Sequence, residues 1–515
     1  TGMPHVYAKN ESDLYRATGY LMAQDRLWQM DLLRRLTTGR LSEIFGKDLV
    51  EVDQLFRSLH FSQKSSMVID STREDILSCL EAFSDGVNQY IENNKDRLPP
   101  EFSVLGYQPE KWEVLHTANL IGYMSWGLTM AWSTEIALYK LGKGLNDELF
   151  AELIPELDMQ QSYVHQNIQV EEEIAFTHAI EKANQFIHNY GLQVLQGSNN
   201  WAVSPEKSEN GQAMLANDMH LELNSPGIWY QIHQVVPDKV NVTGVALPGA
   251  PFVICGHNED VAWGMTNVMV DDMDFYSEEI SEDSSSYFFN GEWRKLKIEN
   301  EIIATKEGDT VELVNRFTHR GPIISKFKDI NDQIVSMRWI GNEYSNELRS
   351  VYLFNRMKNW DDFRNAAGTF IAISQNIAYA DKKGNIGLQT AAGVPLRNGE
   401  GIFIVPGDTS YYDWKGILDF DELPYSFNPP SGYVASANNR TVGDDYPYYI
   451  SRWYDLPNRM ERITELLESK DKLDVEDFKM MQSDQKSKWA EKLVPYFIKL
   501  LEPSVEISSD YFKQA

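Results

Sequence analysis

Gly197-Ser198-Asn199-Asn200-Trp201-Ala202-Val203 decides how this chain is read. A backbone cut before Ser198 would give that serine a free α-amino group beside its own hydroxyl. One residue would then hold both nucleophile and base. An N-terminal amine has an unperturbed pKa of about 7.7–8.0, close to where a general base works best at neutral pH. Taken alone, Gly-Ser-Asn-Asn is a common polar turn, so the residues around it must decide between the two readings.

The texture of the chain changes at this point. Before it, apolar residues recur at helical spacing: residues 11–46 read as a helix that Ser12 can cap, and further helical patterns cover 73–94, 111–144 and 174–190. The uncharged stretch 117–134 approaches membrane-span length but holds Asn119, Ser125, Thr129, Ser133 and two glycines. That composition predicts a buried helix lining a cavity, with no membrane span. After Trp201, short apolar runs at 213–216, 240–245, 252–254 and 261–263 are bounded by Gly, Pro, Asn and Asp, the punctuation of strands and turns. Alternation over 287–314 predicts hairpins, with Asn290-Gly291 as a tight turn. Helix returns at 359–367 and from about 457. The expected organisation is an α-rich segment, 1–197, and a segment over 198–515 that carries the nucleophile and the sheet core. The junction is a cut between interleaved segments as readily as a domain border.

With 515 residues, a net charge of −29 and a pI near 4.7, the chain lacks the clustered Lys and Arg that nucleic acid rewards, so no nucleic-acid partner is expected. Cys79 and Cys255 are the only cysteines, too few for a disulfide framework or a zinc site. Phosphate-loop, dinucleotide-fold, HExxH and GxSxG motifs are all missing, and no organic cofactor is expected.

What remains is a set of polar anchors downstream of Ser198. Asn217-Asp218-Met219-His220 follows the apolar run 213–216 and would bring His220 back beside the strand that begins at Ser198. The run from Gly256 through Ala262-Trp263-Gly264 to Asn267 reads as a turn, a short strand and then a peptide whose N–H could face a pocket. Ala435-Ser436-Ala437-Asn438-Asn439-Arg440 reads as a small-residue strand end presenting an amide. Each string alone marks no more than a turn or hairpin.

Together, in this order, they resemble the penicillin acylase family of N-terminal-nucleophile hydrolases. The resemblance extends to Gly19-Tyr20-Leu21-Met22-Ala23-Gln24-Asp25-Arg26, to Gly39-Arg40-Leu41-Ser42-Glu43, to Leu247-Pro248-Gly249, to Asp271-Asp272-Met273-Asp274 and to Gly384-Asn385-Ile386-Gly387. It implies an α+β fold, a four-layer αββα sandwich with an α-rich N-terminal region. It implies self-cleavage between Gly197 and Ser198, an α/β heterodimer as the product, and a small amide as substrate. By resemblance Ser198 is the nucleophile, the Asn267 N–H and the Asn438 amide hold the oxyanion, and Arg459 orients the site.

His220 stands where cephalosporin and acyl-homoserine-lactone acylases carry histidine and penicillin G acylases carry glutamine. The resemblance also implies an acyl pocket at Met124, Trp126 and Leu221, and a structural Ca2+ held by Glu135, Asp271, Asp274 and the Met273 carbonyl. Two departures stand out. A further aspartate ligand of the family falls near Ile450, and family members continue beyond Ala515, where the acidic partner of the subclass histidine lies. Export to the periplasm or beyond the cell is the family's habit. The alternatives are a peptidase-like enzyme trimming N-acyl peptides and an uncleaved or incomplete homologue that binds acylated ligands without turnover.

Overall fold

A computed structural model of the chain describes residues 2–129, 131–145, 150, 185–186, 188–189, 197–221, 224–325 and 333–501. Helix Glu11–Thr38 is capped by Asn10 rather than Ser12. The Asn10 side chain accepts the Asp13 N–H, Glu11 and Asp13 sit in the first turn, and Gly39 closes the helix at φ 60°. Its partner is helix Glu74–Asn93. The two backbones come close at paired glycines: a Cβ on Gly86 would lie 1.9 Å from the Arg16 carbonyl oxygen, and one on Gly19 2.1 Å from that of Phe83. No larger residue fits either position without moving a helix.

The predicted helix 111–144 divides at Thr129, where the backbone becomes extended, into Val114–Leu128 and Ala131–Gly144. Val114–Leu128 is buried along 116–126, as its lack of charge predicts. The helix expected over 174–190 lies almost wholly outside the described residues. Among the described residues no helix is long and apolar enough to cross a membrane.

Beyond Ser198 the chain is mainly sheet. Among the described residues the larger sheet runs His5–Tyr7, Tyr230–Val236, Val240–Ala246, Cys255–His257, Val261–Asn267, Gln375–Asp381, Ile386–Ala391 and Tyr425–Phe427 in spatial order. It is antiparallel except where His5–Tyr7 pairs in parallel with Tyr230–Val236, so the first residues of the chain are built into the same sheet as the later ones. A smaller sheet places Gly197–Val203 between Tyr433–Ser436 and Met214–His220.

Side chains on a strand alternate between faces, and the central strand of the smaller sheet uses that to join the layers. Trp201 and Val203 pack outward on Ile463, Leu467 and Phe478 of helices Asn458–Glu468 and Val475–Ser483. Ala202 faces inward, onto Ala380 and Ile386 of the larger sheet. Asn200, fully buried on that inner face, donates to the Gly264 and Asn376 carbonyls at 3.3 and 3.0 Å and ties the sheets together. The helices of the first segment cover the other face of the larger sheet, where Tyr15, Leu33, Phe83 and Leu120 join Ile232, Val242, Trp263 and Ile377 in one core. The order is helix, sheet, sheet, helix, the αββα arrangement.

Two local expectations meet different fates. Asn290 and Gly291 both take positive φ, 50° and 83°, between strands Ser286–Phe289 and Glu292–Lys295, as a tight hairpin turn requires. The run 252–254 is not a strand. The Val253 N–H and C=O are both taken by the Asn355 side chain, at 3.0 and 2.6 Å, and bonding to the neighbouring strand resumes with the Ile254 N–H, which donates to the Val245 carbonyl at 2.8 Å just before strand Cys255–His257.

Candidate active site

The hairpin of Gly197–Val203 and Met214–His220 sets Gly197 opposite His220, Ser198 opposite Met219 and Asn199 opposite Asp218. On its other side the nucleophile strand pairs only from Asn200 onward, with Ser436. Its first residues are therefore open to whatever follows Ser436. Two residues beyond Ser436 stands Asn438, fully buried and held at φ 61°, a left-handed backbone that asparagine tolerates better than most side chains.

The Asn438 amide divides its functions between its two ends. Oδ1 accepts the Ser198 N–H at 2.7 Å, while Nδ2 donates to the Asn267 carbonyl at 2.8 Å and reaches Ser198 Oγ at 3.4 Å. Arg459, in the first turn of helix Asn458–Glu468, braces the group. Its Nη1 donates to the Ser198 carbonyl and to Asn199 Oδ1 at 2.9 and 2.6 Å. Its Nη2 donates to Asn438 Oδ1 and to Asp455 Oδ2 at 2.9 and 2.6 Å. A planar fork of donors suits such a bridging position.

Asn267 ends strand Val261–Asn267. The Met265 N–H donates to Asn217 Oδ1, and the Val268 N–H donates across the sheet to Ser374. N–H directions alternate along a strand, so the Asn267 N–H points to the same side as that of Met265, toward Asn438 and Ser198. His220 completes the group. Its Nε2 lies 3.0 Å from Asp218 Oδ2 and 3.2 Å from Asn199 Nδ2. Gly197 has φ 147°, and a Cβ there would stand 3.3 Å from Arg459 Nη2 and 3.5 Å from His220 Nδ1. A side chain at Gly197 would thus press on a guanidinium and an imidazole, and the position suits glycine.

Residues 1–514 match a family model described as Penicillin amidase. The chain belongs to the penicillin amidase family. It is 28% identical to the acyl-homoserine lactone acylase QuiP of Pseudomonas aeruginosa, an alignment that covers 96% of this chain and 61% of that one. It is 29% identical to the penicillin acylase 2 proenzyme of Pseudomonas sp. strain SE83, over 94% of this chain and 63% of the relative. Among solved structures it resembles the thermostable penicillin G acylase of Alcaligenes faecalis, with TM-score 0.52 and 26% identity over 60% of this chain and 56% of that one. The chain thus spans about three fifths of the length of these curated relatives, 61–63%.

In this member of the penicillin amidase family, Ser198 is 8% exposed and forms part of the wall of an apolar cavity of about 110 Å³. Met124, Leu128, Leu221, Trp229 and Ile373 line it, together with Asn267. Trp126 does not line the cavity. Two residues on from Met124 along a helix, it faces about 200° away and packs edge-on against Phe56 and Trp339 in the core. Cys255 also lines the cavity, but burial pushes its thiol up to about 12, so it is no thiolate at neutral pH.

Carboxylate oxygens of Glu135, Asp271 and Asp274, all buried, lie within 4.8 Å of one another. Arg397 is buried against them, bonded to Asp274 and to the Asp271 carbonyl, and Trp414 also donates to Asp274. Tyr449 donates to Asp271 Oδ2 at 2.8 Å, whereas Asp271 Oδ1 is buried without a hydrogen bond. Three carboxylates against one guanidinium leave two negative charges, and burial raises both aspartates above the ordinary carboxylate range. The donor set and its residual charge fit a hard divalent cation. Met273, between the aspartates, pairs with Trp339. Ile450, where the family aspartate would fall, offers its carbonyl, which accepts the Asp271 N–H at 3.0 Å.

Two neighbours of the site were not singled out by sequence reasoning. Asp455 anchors Arg459, four residues before it across the start of a helix. Asp218 was quoted only as part of a string, although its spacing of two from His220 on a strand puts both side chains on one face.

Proposed function

We propose that this chain cuts itself between Gly197 and Ser198 and then hydrolyses linear amides with an apolar acyl group through an ester on Ser198. The observation that carries the reading is the single buried amide of Asn438, which meets both the nitrogen and the hydroxyl of Ser198 on the wall of an apolar cavity. In the uncut chain that nitrogen is an amide and cannot take a proton. Once cut it becomes an amine on the nucleophile's own residue. Ser198 Oγ then attacks the substrate carbonyl while its proton passes to the amine. The oxyanion is held by the Asn267 N–H and Asn438 Nδ2. The leaving amine takes up the proton, and water releases the acid. His220 assists as a proton carrier. The relatives' names, acyl-homoserine lactone acylase and penicillin acylase, support this substrate class. N-acyl homoserine lactones, β-lactam side chains and lipopeptides all fall within it.

Denaturing electrophoresis with mass spectrometry should give two fragments breaking at 197/198, and one intact band after long incubation would leave only ligand binding. On p-nitroanilides from acetyl through hexanoyl to decanoyl, kcat/KM should climb by up to about fourfold per added methylene, the worth of ~0.8 kcal/mol of buried CH2. A series that peaks at acetyl would rule out the cavity as an acyl site.

We also propose that Glu135, Asp271 and Asp274 hold Ca2+, with Met273 contributing its carbonyl. When bound, the ion supplies the positive charge this buried cluster lacks. It would pin helix Ala131–Gly144 to strand Met273–Glu278. Chelation should lower Tm by ~2–5 °C, reversed by calcium, if the site is near-saturated beforehand. The Asp274→Ala variant should not respond, and a parent Tm indifferent to chelator would refute the site.

A further inference from the structure

We propose that Gln375 recognises an oxygen carried on the acyl chain near its carbonyl, so that hydroxy- and oxo-acyl groups are preferred to plain ones. The inference rests on the reading of the cavity beside Ser198 as the acyl site, and makes Gln375 a specificity-determining residue within it.

An apolar pocket takes its selectivity from the few polar groups in its wall, and here each can be followed to its partner. Thr117 Oγ1 donates to the Gly249 carbonyl at 2.7 Å and accepts the Trp112 Nε1–H at 3.0 Å. Asn267 spends its side chain on the backbone: Nδ2 donates to the Leu128 carbonyl at 2.8 Å, and Oδ1 accepts the Met269 N–H at 2.9 Å. Glu347 Oε1 accepts the Ile371 and Ala372 N–H groups at 3.0 and 2.7 Å, and Oε2 is sealed within the protein. Gln375 differs from all of these. It lines the cavity and is 6% exposed, yet its side-chain amide makes no hydrogen bond among the described residues.

The strand fixes where that amide points. Asn376 turns toward the smaller sheet, where its Nδ2 donates to Ser436 Oγ at 3.3 Å. Alternation puts Gln375 on the opposite face with Ile377, which packs in the core beneath the helices. That is the layer in which Met124 and Leu128 line the cavity. Across the sheet Gln375 stands directly opposite Asn267. The Val268 N–H donates to the Ser374 carbonyl, so Gln375 and Asn267 form the intervening pair that exchanges no hydrogen bonds. Side chains approach closest in such a pair, with Cβ atoms ~4.5–5.5 Å apart. The Gln375 side chain therefore starts beside the residue whose N–H receives the acyl oxygen, and it reaches the carbonyl end of the chain rather than the tail.

Leaving a buried amide unpaired costs more than an ordinary hydrogen bond gains. A hydroxyl on the acyl chain meets both ends of the amide, accepting from Nε2 and donating to Oε1. A keto oxygen meets Nε2. A plain methylene chain meets neither, and it displaces any water that served the amide in the empty cavity. Sites built to hydrogen-bond a substrate group discriminate against the analogue that lacks it.

The test compares octanoyl, 3-hydroxyoctanoyl and 7-hydroxyoctanoyl p-nitroanilides on the whole chain and on Gln375→Met, which keeps the length of the side chain and removes the amide. The parent's kcat/KM ratio of 3-hydroxyoctanoyl to octanoyl should exceed that of Gln375→Met by about tenfold, the scale of one buried hydrogen bond. The intrinsic reactivity of the two anilides cancels in that comparison. For 7-hydroxyoctanoyl the ratio should be the same in both proteins. Gln375→Leu should repeat the result of Gln375→Met. The Tm of the ligand-free variants should equal or exceed the parent's, because an unpaired amide gives way to apolar atoms, whereas an amide that served the fold would lower it. Equal 3-hydroxyoctanoyl ratios in parent and variants would overturn the proposal and leave water as the partner of Gln375. Calorimetry on Ser198→Ala, with 3-hydroxyoctanoate and octanoate, makes the same comparison without turnover. A parent chain that hydrolyses nothing would defeat the nucleophile reading. Tighter binding of the hydroxy acid that is lost on adding Gln375→Met would still uphold this one.

Discussion

Ser198→Ala should leave one uncut band and no measurable amide hydrolysis, while folding as the parent does. The size of the loss follows from what the side chain does. In the scheme above every bond that is made or broken passes through Ser198 Oγ, and removing a serine nucleophile from a hydrolase typically costs on the order of 10⁶ in kcat. Its structural contribution is small by comparison. Ser198 Oγ has one contact of hydrogen-bond length, the long 3.4 Å approach of Asn438 Nδ2. The 2.7 Å bond to Asn438 comes from the Ser198 main chain and survives the change. Tm should therefore shift by no more than about 2 °C, in line with a loss of under ~1 kcal/mol. Intact mass and a p-nitroanilide assay read the two halves of the prediction. Hydrolysis at the parental rate would remove Ser198 from the mechanism, and a collapsed Tm would mean the residue serves the fold.

Much of this arrangement can be read from residues whose own chemistry constrains them. A strand that ends at His220 has to return beside Ser198 when a short turn region joins the two. The uncharged helix through Met124 has to be buried, and two consecutive residues of positive φ at Asn290-Gly291 have to be a turn. Where the pattern is ambiguous, tertiary contacts decide. Apolar residues surround the helix Val114–Leu128, so no stripe distinguishes Met124 in the cavity from Trp126 in the core. Asn10 and Ser12 are both good caps, and only the Asn10 side chain finds a free N–H. The run 252–254 is as apolar as a strand, yet Asn355, about a hundred residues later, takes the hydrogen bonds a neighbouring strand would have made. Arg397 lies more than a hundred residues from Asp271 and Asp274, so no local spacing could reveal that a guanidinium is part of the acidic cluster. Asp218 is different, because its signal is local. Spacing of two on a strand is enough to pair it with His220 once the strand is recognised.

Asn438→Gly should lower kcat by about 10²–10³-fold, the usual worth of one oxyanion donor, with KM changed little. The reason for the split is that Nδ2 meets developing charge. In the ground state it already has the Asn267 carbonyl at 2.8 Å, and only a charged oxygen beside Ser198 makes it worth more. Glycine is a better probe than alanine here because Asn438 sits at φ 61°. Alanine at such a backbone adds a strain of ~1–2 kcal/mol, so Asn438→Ala should match glycine in kcat and fall below it in denaturant stability. Asn438→Asp separates the two ends of the amide. It keeps the oxygens that receive the Ser198 nitrogen and Arg459 Nη2, but loses the donor and sets a negative charge against the oxyanion. That variant should fold well, bind Arg459 more tightly and turn over most slowly of the three. If all three keep kcat within tenfold of the parent, the oxyanion is stabilised elsewhere and Asn438 serves only to align Ser198 with Arg459.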